Sequence, residues 1–528
     1  MTSRDKVWRT ELDPVEFLRR SANVFPGKVA VTHENGVRHT YAKLAERCWR
    51  LGSALRGRGL QPGDRVATLC PNSPAMLEAH FGVPAAQLVL VTVNTRLGAG
   101  EIDVILKHSG ARAVLVDAEL EPLLADLELS GVELVQVDDT GLPDDPYEAL
   151  LAEGSKAEPE RWLEDEEETI SINYTSGTTG QPKGVQYTFR GTYLQALANA
   201  ISLRLGPESV FLWSSPMFHC NGWCNPWSVT AVGGRHVTIR RPDPAQMWAT
   251  IDAERVTHYG GAPTVQLSLV NHPAAHRVER GLTVMMGGAP PSPTLVSRLI
   301  ELNVEIVHIY GLAETYAPLT VTAIQEHWSS LPAEDQARLR ARQGQSHVAA
   351  DLVRVVDEEM NDVPLDGATM GEVVMRGNIV MSGYFDAEAA TESAFRGGWF
   401  HSGDVAVWHD DGMIEIRDRS KDIIITGAEN ISTIEVEQTL AAHPAVLEAA
   451  VVAVPHDHWG ERPKAFVTLK DTATATESEL IDFCRGRIAH FKCPDAIEFG
   501  PLPKTSTGKV QKYVLREKEW QGRASRVN

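Results

Sequence analysis

The sequence predicts an α/β protein, with a large N-terminal domain of βα-layered sheets followed by a small α+β C-terminal domain. Three observations carry that reading. The chain has 528 residues, room for about three or four domain-sized units. Helical and strand-like patterns alternate from the start, which implies largely parallel sheets with helices on their faces. Around residues 418–421 the style changes, and the compact remainder has a length that suits a small α+β domain. The expected division is 1–420 and 421–528.

The elements follow in order. Leu44, Cys48, Leu51 and Leu55 recur at helical spacing, Gly57 and Gly59 end that helix, and residues 65–69 read as a short strand. A helix over 101–107 and a strand from Ala111 repeat the pair. Residues 138–145 and 154–168 are acidic and loop-like, expected as solvated surface connections. The apolar stretch 169–173 reads as a strand. Beyond the change of style, 448–454 and 464–469 read as strands and 478–491 as a helix.

The formal net charge of −20 argues against nucleic acid or an anionic membrane as partner, because both are bound through clustered Lys and Arg. Residues 1–10 lack the apolar core of a secretion signal, and the stretch 81–93 is broken by Pro84 and Gln87, so no membrane span is expected. The last residues are not a peroxisomal address. Six scattered cysteines form no disulfide framework, and a cytoplasmic location is expected. His219, Cys220 and Cys224 invite a zinc reading, but no second ligand pair accompanies them; small side chains lining an interior or a pocket are the better reading.

The densest chemical signal is YTSGTTGQPKGV at 174–185. Small residues let backbone N–H groups approach an anion, hydroxyls add donors, and Lys183 adds a charge. It is not a Walker A loop, since Gly184 follows Lys183 where Ser or Thr would stand. Composition leaves a phosphate cradle and a flexible turn about equal.

The full string, however, resembles the phosphate loop of the adenylate-forming superfamily of acyl-CoA synthetases, luciferases and peptide-synthetase adenylation domains. The resemblance extends in order through GGAPPSP at 287–293, YGLAET at 310–315, GWFHSGD at 398–404, the stretch 415–437 and PLPKTSTGKVQK at 501–512. It implies a small barrel-like part in the large domain and a mobile small domain. It assigns ATP contacts to Thr175, Ser176, Gly177, Thr178, Thr179, Gly180 and Lys183 in the loop, and to Gly288, Ala289 and Pro290 against adenine. Tyr310 would stack on adenine beside Gly311, Ala313 would lie at the α-phosphate, and Glu314 would hold magnesium, a hard cation that takes oxygen ligands. Asp404 and Arg419 would hold the ribose. Lys421 would be the hinge, with Gly427, Ala428 and Asn430 following it. Lys509 would be the catalytic lysine; at an effective dielectric of about 20 such a charge supplies roughly 4 kcal/mol of raw attraction where carboxylate meets α-phosphate. Lys504 and Lys512 are expected to be solvated.

The implied activity is two-step: a carboxylic acid displaces pyrophosphate from ATP, then the small domain rotates about Lys421 and coenzyme A takes the acyl group. Phe218 to Cys224 lies where the family's acyl-pocket gate is found, so His219, Asn221 and Trp223 are candidates to line the pocket with Gly287 and Gly311, although core packing is as good a reading for Trp223 and Trp227. Gly311 leaves no bulky side chain in the way, so acids larger than acetate are expected. Two positions depart from the family pattern. Ala313 stands where Thr is common, removing one hydroxyl donor, and Ala428 stands where a second glycine is common. Alternatives stay open: an enzyme that works chiefly on preformed acyl-adenylate, one that feeds a carrier protein, or a nucleotide- or acyl-adenylate-binding protein. Whether the chain forms a homodimer is left open too.

Overall fold

The computed structural model describes residues 8–176, 182–426, 429–456, 458–471, 473–504 and 510–520. Two mixed sheets with parallel centres dominate. The nine-stranded sheet runs Gln345–Ser346, Thr320–Val321, Val304–Tyr310, Leu282–Met286, His258–Gly261, Val210–Trp213, Arg235–Thr238, Val29–His33, Arg38–Thr40; its six central strands from Val304–Tyr310 to Val29–His33 are parallel. The seven-stranded sheet runs Gly383–Tyr384, Pro182–Thr188, Thr169–Ser176, Val89–Thr92, Arg65–Leu69, Ala111–Asp117, Glu133–Val137, and is parallel from Thr169–Ser176 onward. Strands covered on both faces must be apolar along their length rather than alternately, and in Ala111–Asp117 only Arg112 is exposed. For the same reason the helix Pro74–Ala85 is buried at every one of its 12 positions. No helix among the described residues is long and apolar enough to cross a membrane.

The barrel-like part is a four-stranded antiparallel sheet, Arg354–Val356, Met370–Met375, Phe400–Trp408, Ile414–Arg419, linked to the nine-stranded sheet by a bridge from Ile414 to Gly344. Beyond it, Glu429–Ile431, Ile424–Thr426, Gly460–Leu469 and Val446–His456 form another sheet, with Ala496–Phe499 added to Gly460–Leu469. That sheet has its own apolar core, centred on Ile424, Val436, Val451, Ala465 and Leu480.

Three expectations need correction. The helix expected over 478–491 is Glu477–Arg485; a capping box of Thr476 and Glu479 starts it, Gly486 closes it, and His490–Lys492 is a separate short turn. The acidic stretch 138–145 is not wholly solvated. Asp145 is buried and caps the helix Pro146–Glu153 by accepting from Tyr147 N. Asp139 and Asp117 share Arg240 at 3.2 and 2.8 Å, so these acids tie the two large sheets together. Burial pushes the Asp139 carboxyl up to about 7, despite Arg240 beside it. In the stretch 154–168, Glu166 accepts from Leu12 N and from Arg190, and Glu158 pairs with buried Arg19. Both stretches carry charge because they clamp the surface, not merely because they face water.

Candidate active site

The site forms where strands of both large sheets end. Strand Thr169–Ser176 leads into the glycine-rich loop, and Pro182–Thr188 returns antiparallel to it, pairing Thr175 with Lys183 and Tyr174 with Gly184. Thr175 and Lys183 therefore flank the loop mouth. Gly177, Thr178, Thr179 and Gly180, and the side chain of Ser176, lie outside the described residues. Gly184 has a packing reason to be glycine. A Cβ there would come within 2.8 Å of Ile172 Cγ2, 3.2 Å of Tyr174 Cζ and 3.3 Å of Phe385 Cβ.

Lys183 lies in a strand of the seven-stranded sheet and Glu314 on a turn beyond the nine-stranded one, and one residue touches both. The Tyr384 hydroxyl donates to Glu314 Oε1 at 2.9 Å, and Lys183 Nζ lies 4.7 Å from the centre of the Tyr384 ring. Sequence reasoning missed Tyr384. The available signal was the short GYF string, which the structure pairs with the strand that carries Lys183.

Gly287, Gly288, Ala289 and Pro290 follow the carboxyl end of Leu282–Met286, next to the strand that ends at Tyr310. Such strand ends are where open α/β sheets bind ligands. The Tyr310 hydroxyl donates to Asp404 Oδ2 at 2.7 Å, while Arg419 Nε lies 2.6 Å from Asp404 Oδ1. Asp404 and Arg419 face each other across paired antiparallel strands. Asp404 is buried, and each of its oxygens keeps a lone pair for a further donor. Burial and Asp404 together hold the Tyr310 hydroxyl well above its ordinary range, so it stays a donor.

The short turn Ala313–Thr315 presents Glu314. Ala313 is buried and its carbonyl accepts from the Tyr187 hydroxyl. The Thr315 hydroxyl accepts from Leu312 N at 2.9 Å and donates to Leu312 O at 3.1 Å, so it is committed inside the turn. Gly311 is constrained there as well: a Cβ would meet Leu319 N and Thr315 Oγ1, each at 2.9 Å. Its small size answers to the turn first, which removes it as a free indicator of pocket size.

Glu314 fits a magnesium ion delivered with a nucleotide, because magnesium is held through one or two carboxylates plus substrate phosphates. Among the described residues no group of three or more His, Cys, Asp or Glu could hold a metal on its own. Cys220 and Cys224 are buried, in keeping with small side chains that line an interior, and burial pushes the Cys220 thiol up to about 12.

The acyl-gate segment has an unusual backbone. Cys220, Asn221, Gly222, Trp223 and Cys224 all have positive φ, between 49 and 58°. His219 is half-buried, whereas Asn221 is fully buried: its Nδ2 donates to Ser171 Oγ at 2.7 Å and its backbone N donates to Asn173 Oδ1 at 3.2 Å. Asn221 thus braces the segment against the strand leading to the phosphate loop. Trp223 is 7% exposed and Trp227 fully buried, so Trp227 is a core residue.

Lys421 is exposed just beyond Arg419. Gly427, Ala428 and Lys509, with the Asn430 side chain, lie outside the described residues. Of the two lysines expected to be solvated, Lys504 is exposed as expected, whereas Lys512 is not. Lys504 pairs with Glu448 at 2.6 Å. Lys512 donates to Thr433 Oγ1 at 2.6 Å and pairs with Glu437 at 2.8 Å, with Asp418 and Asp422 nearby. Burial opposes its charge, but those three acids more than offset burial and hold the ammonium above its ordinary value. Asp418 in turn accepts from Thr433 N at 2.7 Å and Thr433 Oγ1 at 2.6 Å. Ser432 donates to Arg417 O.

Comparison with known proteins agrees with this geometry. Residues 18–385 match the family model for AMP-binding enzyme, and residues 435–509 match that for the AMP-binding enzyme C-terminal domain. An acetate–CoA ligase of Humulus lupulus is 43% identical, over 96% of this chain and 95% of that one. A peroxisomal trans-cinnamate:CoA ligase of Petunia hybrida is 42% identical, over 96% and 94%. Among solved structures, an anthranilate CoA ligase in complex with anthranoyl-AMP superimposes with a TM-score of 0.86 at 25% identity, covering 98% of this chain and 99% of that one.

Proposed function

Because the chain belongs to the AMP-binding enzyme family, as an acid–thiol ligase, we propose that it joins a carboxylic acid to coenzyme A through an acyl-adenylate made from ATP. The observation that carries the reading is two sets of side-chain contacts, Lys183–Tyr384–Glu314 and Tyr310–Asp404–Arg419, at the ends of strands from the two large mixed sheets and the four-stranded one. A carboxylate held between a tyrosine and an arginine suits two neighbouring hydroxyls of a ribose. Glu314 would hold the magnesium ion that accompanies ATP and supplies charge neutralisation at the phosphates. Lys183 would take phosphate oxygens, and Lys509 would offset the approach of carboxylate to α-phosphate. Thr175, Ser176, Gly177, Thr178, Thr179 and Gly180 would complete the cradle, with Gly288, Ala289 and Pro290 against the base.

We place the boundary between the domains at Lys421 and a reducing cytoplasm as the compartment, although the Petunia relative is named for peroxisomes. The relatives' names span acetate and trans-cinnamate, so the acid itself must come from experiment. The test is an acid panel scored for acid-dependent pyrophosphate exchange and for thioester formation with coenzyme A. Both activities on one acid support the reading; neither, on any acid, overturns it.

One observation favours a second reading. The hydroxyl missing at Ala313 is not replaced by Thr315, which is committed to Leu312. Losing one hydrogen bond to a charged group costs about 1.5–3 kcal/mol, so adenylation would be slowed roughly tenfold to a hundredfold. Thioester formation from a supplied acyl-adenylate, without exchange, would identify that enzyme. Thioester on a carrier protein but not on free coenzyme A would identify a carrier-feeding one.

A further inference from the structure

We propose that Tyr384 is a positioning residue that sets the spacing between the phosphate-loop lysine and the metal-holding carboxylate, one face serving each charge. The inference rests on the functional reading above. Lys183 stands on the edge of the seven-stranded sheet, while Glu314 stands on a turn beyond the nine-stranded sheet. Two charges on separate layers need something to fix their separation. The segment 381–385 does so at backbone level: Met381 N donates to Glu314 O at 2.8 Å, and Phe385 N donates to Gly184 O at 2.7 Å. Between those staples Tyr384 pairs with Val185 and projects its side chain between the two charges.

A tyrosine meets both demands. Its hydroxyl gives Glu314 Oε1 one hydrogen bond, which orients the carboxylate and leaves Oε2 for a cation. Its ring offers an electron-rich face to the ammonium of Lys183. Among the described residues no ion pair joins Lys183 to Glu314; Lys183 meets the ring of Tyr384 and Glu314 its hydroxyl. The ring keeps them from closing on each other, a contact that would neutralise both and leave less for phosphate and metal.

The experiment separates the two faces. ATP binding to wild type, Y384F and Y384A is measured by calorimetry with and without magnesium, and the ratio of the two dissociation constants is taken for each protein. The ratio does not depend on how much of a preparation is folded. Y384F keeps the ring and loses the hydroxyl: the magnesium-dependent gain in affinity is expected to shrink roughly tenfold, the loss of one hydrogen bond to a charged group, with metal-free binding unchanged. Y384A loses both faces, so metal-free binding is expected to weaken as well. Steady-state kinetics should place the Y384F effect in KM for ATP, leaving KM for the acid untouched. A Y384F ratio equal to wild type, or equal losses in metal-free and metal-dependent binding for Y384F, overturns the role of Tyr384 alone. A wild type that binds no ATP overturns the functional reading itself.

Discussion

Arg419 Nε sits 2.6 Å from Asp404 Oδ1, the two residues paired directly across adjacent antiparallel strands, with the Tyr310 hydroxyl on the other carboxylate oxygen. The carboxylate is thus held from two sides before any substrate arrives. Replacing Asp404 by Ala removes the acceptor and strands Arg419. The expected loss is about 1.5–3 kcal/mol, one to two decades in kcat/KM for ATP, with KM for the acid unmoved. Initial rates at varied ATP check it, and an unchanged KM for ATP would remove Asp404 from the nucleotide site.

A313T restores a hydroxyl on the Glu314 turn, where Thr315 cannot supply one. Acid-dependent pyrophosphate exchange should rise about tenfold, while thioester formation from supplied acyl-adenylate stays level. Ala313 is 8% exposed, so the added methyl must also fit. A drop in both activities would show that packing, not a missing donor, governs the position.

Lys512→Met should destabilise the C-terminal region by about 3–5 kcal/mol, because Glu437 and Asp418 lose the cation that compensates their burial. Differential scanning calorimetry should show the loss, and K512R should recover much of it. A melting temperature unmoved by K512M would mean that Lys512 is a surface charge after all.

Asp139 gives a pH-dependent prediction. Burial raises its folded-state carboxyl to about 7 from an ordinary 3.8, so the folded state binds the proton more tightly than the unfolded one. Stability from this group is therefore full below pH about 4 and lost as pH climbs to about 7. The melting temperature of wild type minus that of D139N should fall across that window and level off above it. A difference that rises or stays flat would show Asp139 ionised throughout, held by Arg240.

Much of this arrangement was legible in the sequence because it depends on local order. The alternating patterns gave the layered sheets, and the apolar stretch 169–173 marked the strand ahead of the loop. What escaped depends on distant pairing. Tyr384 lies 201 positions from Lys183 in the chain, and only the sheet edge brings them together. Lys512 read as a tail charge because nothing local marks Thr433, Glu437 and Asp418 as its neighbours. The brace from Asn221 to Ser171 and Asn173 escaped because it joins segments about 50 positions apart. The helix expected to reach 491 stops at Arg485 because Gly486 outweighed the apolar pattern beyond it.

The bonds from Thr433 to Asp418 and from Ser432 to Arg417 join opposite sides of Lys421. Any turning that pivots on Lys421 must first part them, in a place screened from water. If the chain swivels there, the motion would have a threshold, and the two halves would behave like a catch that snaps between rest positions rather than a loose joint that drifts among many.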